Sequence, residues 1–125
     1  IMSIVLIVED ERDVAIVLAK RLKVEGFEVI MAQDAYEGFS LALKDKPDLV
    51  ILDLMLPAGG GLQVLQNIRN ASKIMNMPVV VITGIKDVEY EQKVVKTGVE
   101  AYLEKPYDFE KLKGIIQKIL RLPGA

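Results

Sequence analysis

The chain has 125 residues, 51% of them hydrophobic and 27% charged, with a formal net charge of -2 and a pI near 5.2. This is the composition of one globular domain large enough to bury a core unaided, and with neither Cys nor His it excludes a disulfide framework and histidine-based chemistry within the chain. Lys and Arg are interleaved with Asp and Glu, which gives no basic patch for direct nucleic-acid binding, and no apolar run approaches the roughly 18 residues of a membrane span.

No charged-then-apolar signal segment opens the chain, so a cytoplasmic location is expected, with Met2 the natural start and Ile1 an extra residue before it. Residues 3–8 form a β-branched run suited to a strand buried on both faces, and the run ends abruptly in Glu9-Asp10-Glu11. From Arg12 to Glu25, Val14, Val17, Leu18 and Leu22 recur at helical spacing, and Gly26 is placed to stop that helix. Residues 27–32 are short and apolar, a second strand. Asp34 is placed to cap a helix with Ala35, Phe39, Ala42 and Leu43 inward, ending before Pro47.

Residues 48–54 are the third strand, and they carry Asp53 near their end. A lone carboxylate in the run Val50-Ile51-Leu52-Asp53-Leu54-Met55-Leu56-Pro57 loses solvation unless a charge compensates it. Residues 57–61 read as a flexible connection, followed by a helix with Leu65, Ile68 and either Leu62 or Val64 inward, then an irregular return over 71–77. Residues 79–83 form the fourth strand. A weakly amphipathic helix follows, capped near Asp87 and closed by Gly98. Residues 101–103 make a short fifth strand, Lys105-Pro106 a turn, and Asp108 caps a last helix with Phe109, Leu112, Ile116 and Ile119 on one side. A single domain over residues 1–125 is expected, its core at about 3–121, with 122–125 an end or linker stub.

Five apolar strands alternating with five helices imply an α/β fold, a doubly wound parallel sheet covered on both faces. In the flavodoxin-like strand order 2-1-3-4-5, strands one and three lie side by side where ligands bind, so Glu9, Asp10 and Asp53 share one crevice. Crowded carboxylates repel, and a hard divalent cation, Mg²⁺, is the natural compensation. Such a site recruits phosphate, and Asp53 is the candidate nucleophile. Thr83 supplies a hydroxyl for a phosphoryl oxygen, and Lys105 a cation to neutralise charge on the transferring group.

Singly, each feature has an ordinary explanation: a strand-end Asp capping a loop, an acidic helix start, a β-forming Thr, a solvated Lys. Together, Glu9-Asp10, Asp53 with Pro57 and Gly61 beyond it, Thr83 before a small residue, and Lys105-Pro106 resemble the response-regulator receiver domain of two-component signalling, over residues 3–121.

The resemblance implies that Asp53 accepts phosphate from a sensor histidine kinase or histidine phosphotransfer protein. It implies that Asp10, Asp53 and the Met55 carbonyl bind Mg²⁺, with Glu9 acting through water. It also implies that Thr83 and Tyr102 switch, remodelling a fourth-helix, fifth-strand and fifth-helix face for an effector, an output domain or a phosphorylation-dependent homodimer. Val88, Tyr90, Val94 and Val95, with Ile115 and Leu122 outside the core stripe, are compatible with such a face. Gly84 and Gly60 stand where the family often has Ala and an acidic residue, and apolar Met55 and Ile85 flank the site, which points to a long-lived phosphoaspartate. The implied protein is a switch that catalyses only its own phosphotransfer and dephosphorylation. A small Asp-nucleophile phosphatase is the enzymatic alternative, but Met55 stands where its second carboxylate belongs; a phosphate-independent interaction module is the other.

Overall fold

A computed structural model describes residues 2–123, so the expectations for Ile1, Gly124 and Ala125 lie outside the described residues. The strands are β1 (Ile4–Val8), β2 (Glu28–Ala32), β3 (Leu49–Asp53), β4 (Val79–Thr83) and β5 (Ala101–Glu104), all parallel and ordered β2-β1-β3-β4-β5. The helices are α1 (Arg12–Val24), α2 (Ala35–Asp45), α3 (Gly60–Asn70), α4 (Val88–Thr97) and α5 (Phe109–Leu120). This is the expected doubly wound, flavodoxin-like architecture.

The strands alternate between two cores, as a pleat of period two requires. Leu6, Val8, Val50, Leu52, Val79 and Val81 face α2, α3 and Val94 of α4. Val5, Ile7, Leu49, Ile51, Val80 and Ile82 face α1 and α5. β3 and β4 are buried at every position, which is why their sequences are almost wholly apolar, while the edge strands β2 and β5 each bury one residue. Asp34, Asp87 and Asp108 cap α2, α4 and α5 as expected, each accepting backbone N–H bonds from the first turn.

Several local expectations are corrected. α1 turns Ala15, Leu18, Ala19 and Leu22 inward, leaving Val14 41% and Val17 61% exposed, because two alanines let the helix lie closer to the sheet than two valines would. The connection expected over residues 57–61 is shorter than that: Pro57–Gly59 make a single tight turn with Ala58 in a left-handed conformation, and α3 starts at Gly60. A Cβ on Gly61 would stand 2.5 Å from the Leu54 Cα, so only glycine allows α3 to begin against the residue that follows Asp53. On α4, Val94 is fully buried in the core rather than on an outer face, whereas Val88 and Val95 are exposed; Ile115 and Leu122 pack against the α1/α5 core. On α2, Leu43 is 37% exposed and Gly38 takes the inward place, its position so close to β1 that a Cβ would come 2.9 Å from a Val8 methyl.

Candidate phosphoryl-acceptor site

The site lies at the carboxyl ends of β1, β3, β4 and β5. β1 and β3 run in register with Val8 opposite Leu52, so the residues that follow, Glu9 and Asp53, emerge side by side. Both are buried, each 5% exposed, whereas Asp10 is exposed. Carboxylate oxygens of Glu9, Asp10 and Asp53 all come within 4.8 Å of one another. Oxygen donors packed this closely, two of them buried, suit a hard divalent cation, since they repel without one.

Each buried carboxylate is held at both oxygens. Asp53 Oδ1 accepts from the Met55 N–H at 2.8 Å and Oδ2 from Lys105 Nζ at 2.9 Å. Glu9 Oε2 accepts from the Glu11 N–H at 3.1 Å and Oε1 from Lys105 Nζ at 3.3 Å. Burial drives the Glu9 carboxyl up to about 7, and the neighbouring Asp53 adds to this, against the opposing Glu11 N–H and Lys105 charge. Burial pulls the Lys105 ammonium down, but its hydrogen bond to Asp53 and the charges of Asp53 and Glu9 outweigh that and hold it above its ordinary value. Lys105 follows β5 and is aimed by its backbone, whose N–H donates to the Thr83 carbonyl at 2.8 Å ahead of a cis Lys105-Pro106 peptide.

Thr83 is fully buried, and its Oγ1 accepts from the Ile85 N–H at 3.0 Å, which leaves the hydroxyl proton free to donate. It shares the alternation of Val79 and Val81, and Tyr102 pairs with Val81, so both sit on the α3/α4 side of the sheet while Asp53 follows the α1/α5 side. The Tyr102 hydroxyl is buried without a hydrogen-bond partner among the described residues. Burial, with the nearby Glu91, Glu104, Tyr90 and Asp87, raises its pKa. Met55, 53% exposed, lies over the small residue after Thr83: a Cβ on Gly84 would stand 3.2 Å from its Sδ.

The structure therefore gathers Glu9, Asp10, Asp53 and Lys105 into one contact group and puts Thr83 at the adjoining strand end. Two contributors were not singled out from the sequence. Tyr107 lines the cavity behind Asp53 with Glu9 and Lys105, its only sequence signal being its place after Lys105-Pro106. Arg69 braces the far end of the sheet, and no sequence pattern marks it. The cavity behind Asp53 measures about 20 Å³. That is room for about one water.

A family model described as "Response regulator receiver domain" matches residues 5–117. The chain belongs to this family. Among curated relatives, the "Transcriptional regulatory protein CusR" of Escherichia coli (strain K12) is 36% identical over 120 residues, covering 96% of this chain and 52% of that protein. The "Response regulator ArlR" of Staphylococcus aureus is 37% identical over 120 residues, covering 96% and 53%. The receiver chain thus spans about half the length of the curated relatives it matches. A receiver domain protein (CheY-like) from Methanospirillum hungatei JF-1 superposes with TM-score 0.90 at 26% identity, covering 97% of this chain and 95% of that one.

This receiver domain is a part of two-component signalling, as its residues suggested. Its relatives are regulators rather than enzymes by name. The expectation that the chain keeps away from nucleic acid gains no support from relatives named as transcriptional regulators. Among the described residues no helix is long and apolar enough to cross a membrane.

Proposed function

We propose that Asp53 is the phosphoacceptor, that Glu9, Asp10, Asp53 and the Met55 carbonyl hold Mg²⁺, and that Thr83 and Lys105 receive the phosphoryl oxygens. The observation that carries this is the buried Asp53 carboxylate, flanked by two further carboxylates within 4.8 Å and by an ammonium at 2.9 Å. A carboxylate oxygen of Asp53 attacks the phosphorus of a phosphohistidine on a sensor kinase or histidine phosphotransfer protein. The P–N bond breaks and its electron pair returns to the donor imidazole. Mg²⁺, when bound, supplies positive charge against the phosphoryl oxygens and the crowded carboxylates.

Lys105 then leaves its bridge to the carboxylates for a phosphoryl oxygen, and Thr83 donates its free hydroxyl proton to another. Thr83 and Tyr102 lie on the α4 side, so this movement remodels the α4–β5–α5 surface read by an effector, an output domain or a second copy. The receiver domain acts in the cytoplasm and catalyses only its own phosphotransfer and dephosphorylation.

The test is to treat the protein and Asp53→Asn with Mg²⁺ and acetyl phosphate or beryllofluoride, following mass and amide spectra. A stable adduct on Asp53, absent in the variant, with changes across α4, is expected. Rapid multiple turnover of the donor with no adduct accumulating on Asp53 would make the chain a phosphatase. No adduct would leave an interaction module.

A further inference from the structure

α4 is attached unevenly. Val94 is its one fully buried residue, while Val88 at its amino end is 71% exposed. Among the described residues, the side-chain hydrogen bonds around the amino end are local: the Asp87 cap to Glu89 and Tyr90, and Thr83 to Ile85. Ile85 and Tyr90 rest half-buried on the core.

The carboxyl end is bolted down by one side chain of α3. Arg69 Nε donates to the Gly98 carbonyl at 3.0 Å, one terminal nitrogen donates to the carbonyls of Met75 at 3.0 Å and Met77 at 2.6 Å, and the other meets Glu100 Oε1 at 3.1 Å. Glu100 Oε1 also accepts from the Val79 N–H at 2.7 Å, so the network reaches β4. Gly98 itself closes α4 by donating to Val94. A planar guanidinium with its donors fixed in a fork thus ties α3, the α3–β4 return and the α4–β5 turn into one rigid corner. The Arg69 side chain is only 16% exposed, and its bonds to the Gly98 and Met77 carbonyls are partly buried, whereas those to Met75 and Glu100 face water.

We propose that Arg69 is the pivot of the receiver switch. It anchors the carboxyl end of α4, so that a change at Thr83, two residues before Ile85, swings the amino end of the helix instead of shifting it bodily. Arg69 touches none of the reacting groups and is a positioning residue. The proposal rests on the reading of Asp53 and Thr83 as the phosphorylation site. Its mechanical logic is that of a hinge: the least-held end of an element moves and its tethered end does not.

The experiment is hydrogen exchange and amide NMR on the full chain, free and with Mg²⁺ and beryllofluoride, for the wild type, Arg69→Lys and Glu100→Gln. Lysine keeps the charge but not the fork, and glutamine keeps an acceptor for Val79, so both variants are mild enough to fold. In the wild type the beryllofluoride shifts should be largest at residues 84–91 and fade toward Gly98. In Arg69→Lys, exchange at Gly98 should rise about tenfold, as loss of charge-assisted bonds predicts. Its Asp53 adduct should form as in the wild type, but the shifts should spread evenly along α4. Glu100→Gln should lie between the two. Even shifts in the wild type, or an unchanged gradient in Arg69→Lys, overturn the pivot while leaving the phosphorylation site standing. No adduct at Asp53 in any of the three overturns both.

Discussion

Lys105 and Asp53, 52 residues apart in the chain, meet at 2.9 Å through Nζ and Oδ2, and the same ammonium reaches Glu9 Oε1 at 3.3 Å. One cation therefore spans two buried carboxylates. The Lys105 side chain is 28% exposed, so the pair is only partly screened by water.

Removing that cation leaves crowded carboxylates uncompensated. Lys105→Ala should lower the metal-free stability by about 1–2 kcal/mol in urea unfolding, and Mg²⁺ should restore more stability to the variant than it adds to the wild type. Equal Mg²⁺ effects on the two proteins would show that lysine and metal do not serve the same charges.

Glu9 makes metal-free stability depend on pH. Burial raises its carboxyl from 4.5 to about 7, so the folded chain holds its proton more tightly than the unfolded chain does. The stability this contributes is fully present below the unfolded value and is lost as pH rises through about 7. Thermal unfolding without metal should show that decline in the wild type and a flatter profile in Glu9→Gln. With Mg²⁺, which needs the ionised carboxylate, the metal-induced gain should grow over the same range. Parallel pH profiles for the two proteins would count against a raised Glu9.

Gly61 carries a steric constraint that lies directly behind the site. A Cβ there would stand 2.5 Å from the Leu54 Cα and 2.7 Å from its carbonyl oxygen, both backbone atoms that cannot step aside. Gly61→Ala should cost about 2–3 kcal/mol and weaken beryllofluoride binding at Asp53, because β3 and α3 must move apart. An alanine variant of wild-type stability would mean that the β3–α3 corner is looser than it stands.

Ala58 presents the opposite case. It holds φ 56° and ψ 34°, a left-handed conformation that disfavours L-residues by about 1–2 kcal/mol. Ala58→Gly relieves that strain but adds disorder to the unfolded chain, so a net gain of about 0.5–1 kcal/mol is expected in chemical denaturation. A loss on substitution would locate a needed methyl contact.

Phosphoaspartate lifetime tests the apolar rim of the site. Met55 and Ile85 offer an attacking water no hydrogen bond, so the wild-type adduct should decay slowly in Mg²⁺. Met55→Asn should shorten its life by roughly tenfold, less than the roughly hundredfold or more that a fully positioned acid or base provides. Rapid wild-type decay in isolation defeats this expectation.

The sequence by itself determined the order of strands and helices, because buried parallel strands are continuous apolar runs and the capping residues are local. It also marked Glu9, Asp10, Asp53, Thr83 and Lys105 as residues that would come together, since each stands at or just past a strand's carboxyl end and such ends converge in a doubly wound sheet. Tertiary structure alone decided which faces were inward and what the loops do. Val14 and Val17 have helical spacing, yet alanines take the α1 interface because closeness to the sheet, not hydrophobicity, selects there. The glycines after Pro57 look like slack in the chain, but Gly61 is fixed by a contact with Leu54. Arg69 acts on the carbonyls of Met75, Met77 and Gly98, and backbone oxygens are identical in every sequence, so only their convergence in space gives that arginine its role.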